Sequence, residues 1–135
     1  MANTFKLKTK SDVGVTTVGI YTAGGSTTTV IIGITCANTS GTGIHVGLGI
    51  TRSSVDDISL IKDVPIPQGS SFEFMAGNKV VLEPTDTITA KSDVATSLDV
   101  ALTIMELSLL HWLVQLHLLV LDLQLLTICW MLLVQ

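Results

Sequence analysis

Apolar and polar residues alternate in short runs over the first 107 positions of this 135-residue chain, and turn residues separate the runs. In the clearest run, residues 44–51, every second position is apolar, namely Ile44, Val46, Leu48 and Ile50. A period of two places alternate side chains on opposite faces of a strand, so this run predicts a half-buried antiparallel strand. Gly47 and Gly49 share the other face, which indicates close approach by a neighbour or a flattened outer surface.

Comparable runs predict about eight short strands, with residues 4–9 as a weaker candidate for an edge strand. The eight segments expected to extend are 15–21, 27–37, 44–51, 58–64, 72–74, 80–83, 87–90 and 98–105. Segment 27–37 is the strongest because its branched side chains are stiff and suit a pleated surface. Pro65 and Pro67 predict an edge-like exit from 58–64. The spacing is typical of an all-β fold, an antiparallel β-sandwich of the jelly-roll kind.

The inward positions of these strands predict the core. Nine apolar side chains are expected to be buried: Ile32, Ile34, Val46, Leu48, Leu82, Ile88, Val100, Leu102 and Ile104. Phe72 and Phe74 are expected to face the same core. A register error of one residue would turn a whole strand outward, so burial of these residues tests the assignment.

Composition changes sharply near Leu107 and Ser108. All eleven glycines and all three prolines precede this point, whereas both tryptophans and twelve leucines lie within the last 28 residues. We therefore expect two parts, a β-sandwich domain over 1–107 and a Leu-rich tail over 108–135.

Three interpretations of the tail remain open. Its polar residues Ser108, His111, Gln115 and Asp122 share one helical face, and His117 and Gln124 form a second thin line. The tail could be an assembly helix that buries a wide apolar face against copies of itself. It is also long enough to cross a membrane, although polar residues near its middle argue against a simple span. Finally, this composition is what an Ala/Ser/Thr-rich coding region gives when it is translated in a shifted frame or by read-through.

Charge and cysteine content exclude several classes of protein. Charged residues make up 13% of the chain, the net charge is −4, and Arg52 is the only arginine. A clustered basic face for nucleic acid is therefore not expected. Cys36 and Cys129 belong to no CxxC motif, and we expect two buried thiols in a reducing compartment. The first residues lack an apolar segment, so a signal peptide is not expected.

No histidine arrangement predicts a metal site. His45 lies mid-strand without another His or Cys at a ligand spacing, and it is predicted to be a surface or interface residue. His111 and His117 are six residues apart, which places them on different faces of a helix.

The carboxylates do not form a recognisable site either. Asp56, Asp57 and Asp63 could hold calcium weakly, but no EF-hand spacing is present and a solvated acidic loop is the preferred interpretation. Four further carboxylates are scattered and support no acid–base pair: Glu73, Glu83, Asp86 and Asp99. No serine nucleophile elbow is present. We therefore predict no enzyme and no catalytic, cofactor or metal residue. The triplet 38–40, Asn-Thr-Ser, matches a glycosylation acceptor, but nothing in the sequence indicates secretion.

Several stretches carry a family resemblance. They are residues 1–6 (MANTFK), 27–33 (TTTVIIG), 64–71 (VPIPQGSS), 79–88 (KVVLEPTDTI) and 97–106 (SLDVALTIME). In this order they resemble small virion structural proteins of tailed phages of marine bacteria, especially cyanobacteria. The resemblance covers about residues 1–107 and implies a β-sandwich subunit without catalytic residues, made in the host cytoplasm. Relatives would end near Glu106, so the Leu-rich tail departs from the family.

Two functions follow as hypotheses. The first is a structural component of a phage particle, as a capsid decoration, neck or tail subunit, whose partners are copies of itself and other phage structural proteins. We expect a homo-oligomer, with a trimer as the first hypothesis, because Thr- and Gly-rich strands with few edge charges need symmetric contacts to cover their edges. The alternative is a binding module, for example for host-surface glycans, since jelly rolls also form lectins. Few aromatic residues precede residue 108, which favours the structural hypothesis.

Overall fold

The computed structural model describes residues 3–75 and 77–134, and for residues 109–115 it describes the backbone alone. Nine strands and one helix are present in these ranges. The strands are β1 (Asn3–Val13), β2 (Val18–Thr22), β3 (Thr27–Asn38), β4 (Ile44–Thr51), β5 (Ile58–Ile66), β6 (Ser71–Glu73), β7 (Val80–Leu82), β8 (Thr87–Ser92) and β9 (Leu98–Ser108). The helix is α1 (Leu109–Leu133). Met1, Ala2 and the Ala76 position of the predicted 76–79 turn lie outside the described residues.

The strands form two antiparallel sheets packed face to face. Sheet A has the order β1-β9-β3-β6, and β7 also pairs with β3 beyond β6. Sheet B has the order β2-β8-β4-β5. Most successive strands switch sheets, and β6 and β7 together occupy one strand position. The result is an eight-position jelly roll, which confirms the predicted all-β sandwich.

Eight of the nine predicted core side chains are buried. Together with Ile31, Cys36, Ile44, Ile66 and Leu98 they fill the space between the sheets. The prediction that Ile32 is buried is wrong, since Ile32 is half-buried while Ile31 and Ile34 are fully buried. The pairing of β3 with β9 shifts between Ile31 and Gly33, so an extra residue reverses the alternation there. Phe72 and Phe74 pack against the core but stay partly exposed.

The alternation of β4 is confirmed, and Gly49 is needed for close packing against the neighbouring strand. Ile44, Val46, Leu48 and Ile50 are buried. A Cβ at Gly49 would lie 2.9 Å from the carbonyl oxygen of Ile58, closer than a real Cβ can approach. Gly49 therefore permits the close approach of β5, whose pairing with β4 is shifted beside it.

Helix α1 continues directly from β9 without a loop. The side chains described for it, residues 116–134, are all exposed. Cys129 is among them, so the expectation of two buried thiols is correct for Cys36 and wrong for Cys129. The reason is that no described element packs on that part of the helix. Of the predicted polar line, the side chains of His111 and Gln115 lie outside the described residues, as does that of Trp112.

The bulge in β3 yields a matched test of the core. Ile34→Ala removes a fully buried side chain and should lower the free energy of unfolding by about 2–5 kcal/mol. Ile32→Ala makes the same chemical change two residues away at a half-buried site and should cost clearly less. Urea unfolding measures both variants. Equal losses would mean that the bulge is misplaced.

The sandwich is expected to fold without the tail. The buried apolar cluster is drawn entirely from residues 13–104, so a fragment of residues 1–107 keeps all of it. Far-UV circular dichroism should show a β spectrum and a cooperative thermal transition. A dominant helical signal, or no transition, would contradict this prediction.

Candidate assembly surfaces

An apolar row crosses the outer face of sheet A, the face directed away from the core. Phe5 pairs with Met105, Met105 with Val30, and Val30 with Val81. Directly paired residues of neighbouring strands point to the same face, so the four side chains form one transverse line. Phe5 is 67% exposed and Val81 is 55% exposed. Leu7, 66% exposed, lies beside Phe5 on the same face. We call these five residues the apolar ridge.

A hollow lies further along the same face. It has a volume of about 480 Å³, and the residues around it are mainly small: Thr9, Ser11, Thr35, Ala37 and Ala101. Asp99 also borders it, as do Lys10 and Val100, a pair that belongs to the other face of the sheet. The carboxylate of Asp99 accepts a hydrogen bond from the backbone N–H of Asp12 at 3.0 Å. One sheet face thus carries both a protruding apolar part and a recessed part.

A polar seam closes the side of the sandwich where β1 and β2 meet. Lys6 Nζ lies 2.6 Å from Glu106 Oε2, and the Tyr21 hydroxyl donates to Glu106 Oε1 at 2.8 Å. The Tyr21 hydroxyl also lies 3.0 Å from the hydroxyl of the buried Thr29. Lys8 Nζ stands 5.8 Å from the centre of the Tyr21 ring, which is cation–π range. The seam satisfies polar groups that would otherwise face the core edge unpaired.

The seam shifts the acidity of its members. The hydrogen bond from Lys6, assisted by that from Tyr21, holds the pKa of the Glu106 carboxyl below its usual range. Burial raises the pKa of Tyr21 above its usual range. Glu106 is therefore charged and Tyr21 neutral at neutral pH, which is the arrangement of a structural ion pair.

A second ionic cluster joins two turns at one end of the sandwich. Arg52 Nε lies 3.2 Å from Asp86 Oδ2, and the Arg52 guanidinium also pairs with Glu83. Asp86 is buried, and its Oδ2 accepts the backbone N–H of Glu83 at 3.1 Å. Sequence reasoning treated Glu83 and Asp86 as scattered. Arg52 is separated from Glu83 and Asp86 by 31 and 34 residues, so their spacing does not predict the cluster. The one signal in the sequence is that the chain has a single arginine.

His45 is exposed on β4, as predicted for a surface residue, and it pairs with Asp93. The His45 backbone N–H donates to Asp93 Oδ1 at 2.7 Å, and His45 Nδ1 lies 2.9 Å from Oδ2. The backbone bond is the main reason that the pKa of Asp93 is lowered. The pair fixes the start of the β8–β9 loop. His117 is exposed on α1, and the side chain of His111 lies outside the described residues, so their spacing stays a prediction.

The remaining acidic residues do not converge. Asp57 Oδ1 accepts the backbone N–H of Arg52 at 3.1 Å, and Asp56, Asp63 and Glu73 are exposed. No group of three His, Cys, Asp or Glu side chains within the described ranges could hold a metal ion. The calcium alternative for Asp56, Asp57 and Asp63 gains no support from this arrangement.

The glycosylation match at Asn38 is a structural residue. Asn38 is 5% exposed, and its side-chain amide donates to the carbonyl oxygens of Thr42, Ile66 and Pro67 at 2.7, 3.0 and 3.2 Å. The same residue accepts from Ser40 at 2.9 Å. A sugar could be attached only by breaking this network, so Asn38 serves to join the β3–β4 and β5–β6 loops.

The edge strands carry more protection than the sequence suggested. Lys6, Lys8 and Lys10 pair with Ile104, Leu102 and Val100, which places them on the inter-sheet side of edge strand β1. Edge strand β5 contains Lys62 and Pro65 and is twice shifted against β4. Lysine, proline and bulges at an edge oppose pairing with another chain. The expectation of few edge charges is therefore wrong.

Helix α1 presents the largest apolar surface in the described part of the chain. Exposed Leu, Ile, Val, Met and Trp side chains cover it from Leu116 to Val134, and Leu133 is 82% exposed. Asp122 lies near its middle. By length and composition alone, Leu116–Leu133 could cross a membrane.

One of two comparisons with solved structures agrees with the fold. A Bacillus endospore appendage protein, of a family described as disulfide-linked pili, superposes with a TM-score of 0.50 and 15% identity, over 80% of this chain and 88% of that chain. A chain of the infectious bursal disease virus Gx strain superposes with a TM-score of 0.37 and 12% identity, over 76% of this chain and 37% of that chain, which is too loose to define a shared fold. No protein-family model and no curated protein matches this sequence.

The polar seam predicts a pH-dependent contribution to stability. Glu106→Gln removes the charge that pairs with Lys6 and should lower the free energy of unfolding by about 1 kcal/mol at neutral pH. The pKa of Glu106 is lowered in the folded state, so the contribution is present above its ordinary value of 4.5 and is lost as the pH falls through the folded value. Urea unfolding should show the gap between wild type and variant narrowing in acid.

The matched control is Glu73→Gln, which changes an exposed carboxylate on β6 that makes no ion pair among the described residues. Its effect should be small at every pH. A Glu106→Gln gap that stays constant into acid would contradict the assigned role of the charge.

Proposed function

We propose that this chain is a structural subunit of a virion, as a capsid decoration, neck or tail component of a bacteriophage, and that it acts by assembling with copies of itself. The observation that carries the proposal is helix α1, whose described side chains are almost all apolar and exposed. An apolar patch this large on a single chain marks an interaction surface. The function therefore lies in contacts between subunits, which form in the particle after synthesis in the host cytoplasm.

The apolar ridge of sheet A supports the same proposal independently. It lies on a sheet face, whereas α1 extends from the end of β9. A subunit with two separate apolar surfaces can make two isologous contacts, or one heterologous contact that joins the unlike surfaces, and either arrangement can continue into an extended assembly. The protected edges of β1 and β5 make strand addition a poor third route, so faces and helix are favoured for assembly.

Assembly of this chain would be non-covalent. The Bacillus protein with a similar fold belongs to a family described as disulfide-linked pili, whereas this chain has only two cysteines. Cys36 is fully buried, and burial raises the pKa of its thiol to about 11. Cys129 alone is exposed, and one accessible thiol per chain can join copies only in pairs. A polymer must therefore rely on packing.

The glycan-binding alternative gains no specific support. A sugar site would place exposed aromatic rings at loops, but the exposed Phe5 lies mid-strand and the exposed Trp130 lies on α1. The Tyr21 hydroxyl is held by Thr29 and Glu106. Phe74 does stand in a loop, between β6 and β7, but it packs against the core. Among the described residues, no aromatic side chain is thus both in a loop and fully open to solvent.

Membrane anchoring explains the exposed apolar surface of α1 less well than self-assembly does. Asp122 lies near the middle of the helix, where a single span would place it in the centre of the bilayer at a high free-energy cost. In an assembly of helices a polar residue at such a position can hydrogen-bond across the contact. We therefore favour copies of the chain over lipid as the cover for α1.

Light scattering on the full chain and on residues 1–107 tests the proposal. The full chain should form one discrete oligomer of higher mass than the fragment, because only the full chain can bury α1. Mass spectrometry of purified particles should find the protein in the virion and locate its C-terminus. The matched variant Asp122→Asn tests the polar contact without altering the apolar surface.

The contrary outcomes are distinct. A monomeric full chain would overturn self-assembly. A heterogeneous, insoluble full chain beside a well-behaved fragment would instead support a shifted-frame origin for residues 108–135, and the proposal would then depend on the sandwich alone. Specific glycan binding by the fragment would favour the alternative function.

A further inference from the structure

We infer that the outer face of sheet A packs against the same face of a second copy, about a two-fold axis that crosses the strands near Thr103. The inference deepens the proposed self-assembly by naming the surface, the partner and the symmetry. It rests on three properties of the face: a ridge, a hollow and their spacing.

The ridge supplies the protruding half of the contact. Phe5, Leu7 and Val81 are each more than half exposed, although they stand on regular strands with paired backbones. Large apolar side chains in a continuous line on a sheet face resemble one inner face of a sandwich that lacks its partner sheet. The line is continuous through Met105 and Val30, so it spans sheet A from β1 to β7.

The hollow supplies the receiving half. Its centre lies near Ala101, which pairs with Thr9 on one side and Thr35 on the other. Ala101 is four residues from Met105 along β9, and Thr103 lies halfway between them on the same outward face. Side chains at these three positions point the same way because the strand has a period of two.

This spacing makes the face complementary to itself. A two-fold axis lying between the two faces, across the strands at Thr103, exchanges the Met105 row with the Ala101 row. The ridge of each copy then enters the hollow of the other, and both contacts form at once. An axis parallel to the strands would place ridge against ridge and leave both hollows empty. A contact of the first kind is isologous and closes at two copies.

Most residues near the axis are uncharged. In the rows through Met105 and Thr103 the outward strand residues are neutral, and these two positions are flanked by Phe5, Val30, Val81, Leu7 and Gly33. Glu73 is the exception, because it pairs with Thr35 in the Ala101 row and its Oε1 lies 4.0 Å from the position of a Cβ at Gly33. The two Glu73 carboxylates therefore come near each other at the β6 end of the axis and oppose the contact there. Asp99 lies one row further away and accepts a hydrogen bond from the Asp12 backbone N–H.

The experiment uses the full chain with Cys129→Ser, so that buried Cys36 is the single remaining native thiol. Thr103→Cys then places one reactive thiol at the proposed axis. Stacked sheets lie about 10 Å apart, so a short bis-maleimide can join the two thiols. We expect a covalent dimer as the main product on a denaturing gel. Thr51→Cys, an exposed strand threonine on sheet B, is the matched control and should give no comparable band.

Aspartate variants test whether the ridge holds the contact. Phe5→Asp added to Thr103→Cys should abolish the dimer band, because a charge would enter the hollow. Val55→Asp places the same charge at a similarly exposed apolar residue, 57% exposed, in the β4–β5 loop and should leave the band intact. Thermal unfolding checks that both variants stay folded. If Phe5→Asp unfolds the chain, the comparison of Thr103→Cys with Thr51→Cys still decides.

Four other results would contradict the inference, and each has a different meaning. An oligomer by light scattering without the Thr103→Cys dimer would leave self-assembly standing and remove this face from it. Equal bands from Thr103→Cys and Thr51→Cys would show random collision. With Cys129 restored, a link between Phe5→Cys and Cys129 in place of the Thr103 dimer would assign α1 of another copy to the face. A monomeric chain would remove both proposals.

Discussion

The antiparallel pairing of β3 with β9 is the constraint on which the rest of the molecule depends. It runs from Thr27 opposite Ser108 to Asn38 opposite Leu98, through the middle of sheet A. Burying Leu102 and Ile104 against sheet B turns Thr103 and Met105 outward, because side chains alternate along a strand. One register of β3 with β9 therefore sets both which side chains form the core and which form the apolar ridge. A slip of one residue would bury the outer face and expose the core.

The same pairing explains how far the sequence predicts the fold. Strands with regular alternation, such as β4 and β9, were predicted together with their buried faces, since a period of two is visible in the chain itself. Ile32 was placed wrongly because Val30, Ile31 and Ile34 around it are also branched and apolar, so hydrophobicity does not show where β3 bulges after Ile31. Gly33 was the one sequence signal of that bulge. The exposed side of α1 was equally hidden, because an apolar helix looks the same in sequence whether or not another element covers it.

The ionic groups lie beyond sequence reasoning for a different reason. Tyr21 and Glu106 are 85 residues apart, and they meet because β2 and β9 lie in the two opposite sheets of the sandwich. Arg52 reaches Asp86 within one sheet, because the two residues adjoin the paired residues Thr51 of β4 and Thr87 of β8. Asn38 matched a modification motif, but its neighbours in space, Ile66 and Pro67, give it a structural role. Long-range pairing of this kind is set by topology, and residue spacing along the chain carries no record of it.

Symmetry limits what each surface can build. A two-fold contact through sheet A closes after two copies, so it cannot by itself give a trimer or an extended array. Exposed apolar side chains lie on several sides of helix α1 between Leu116 and Val134, which allows contact with more than one neighbouring helix. If three copies of α1 pack about a three-fold axis while sheet A packs about a two-fold axis, each chain takes part in two different symmetric contacts. The assembly can then continue beyond a closed dimer. The trimer expected from sequence would then belong to α1 and the dimer to the sandwich. The protected edges of β1 and β5 fit this division, because strand addition there would compete with both contacts.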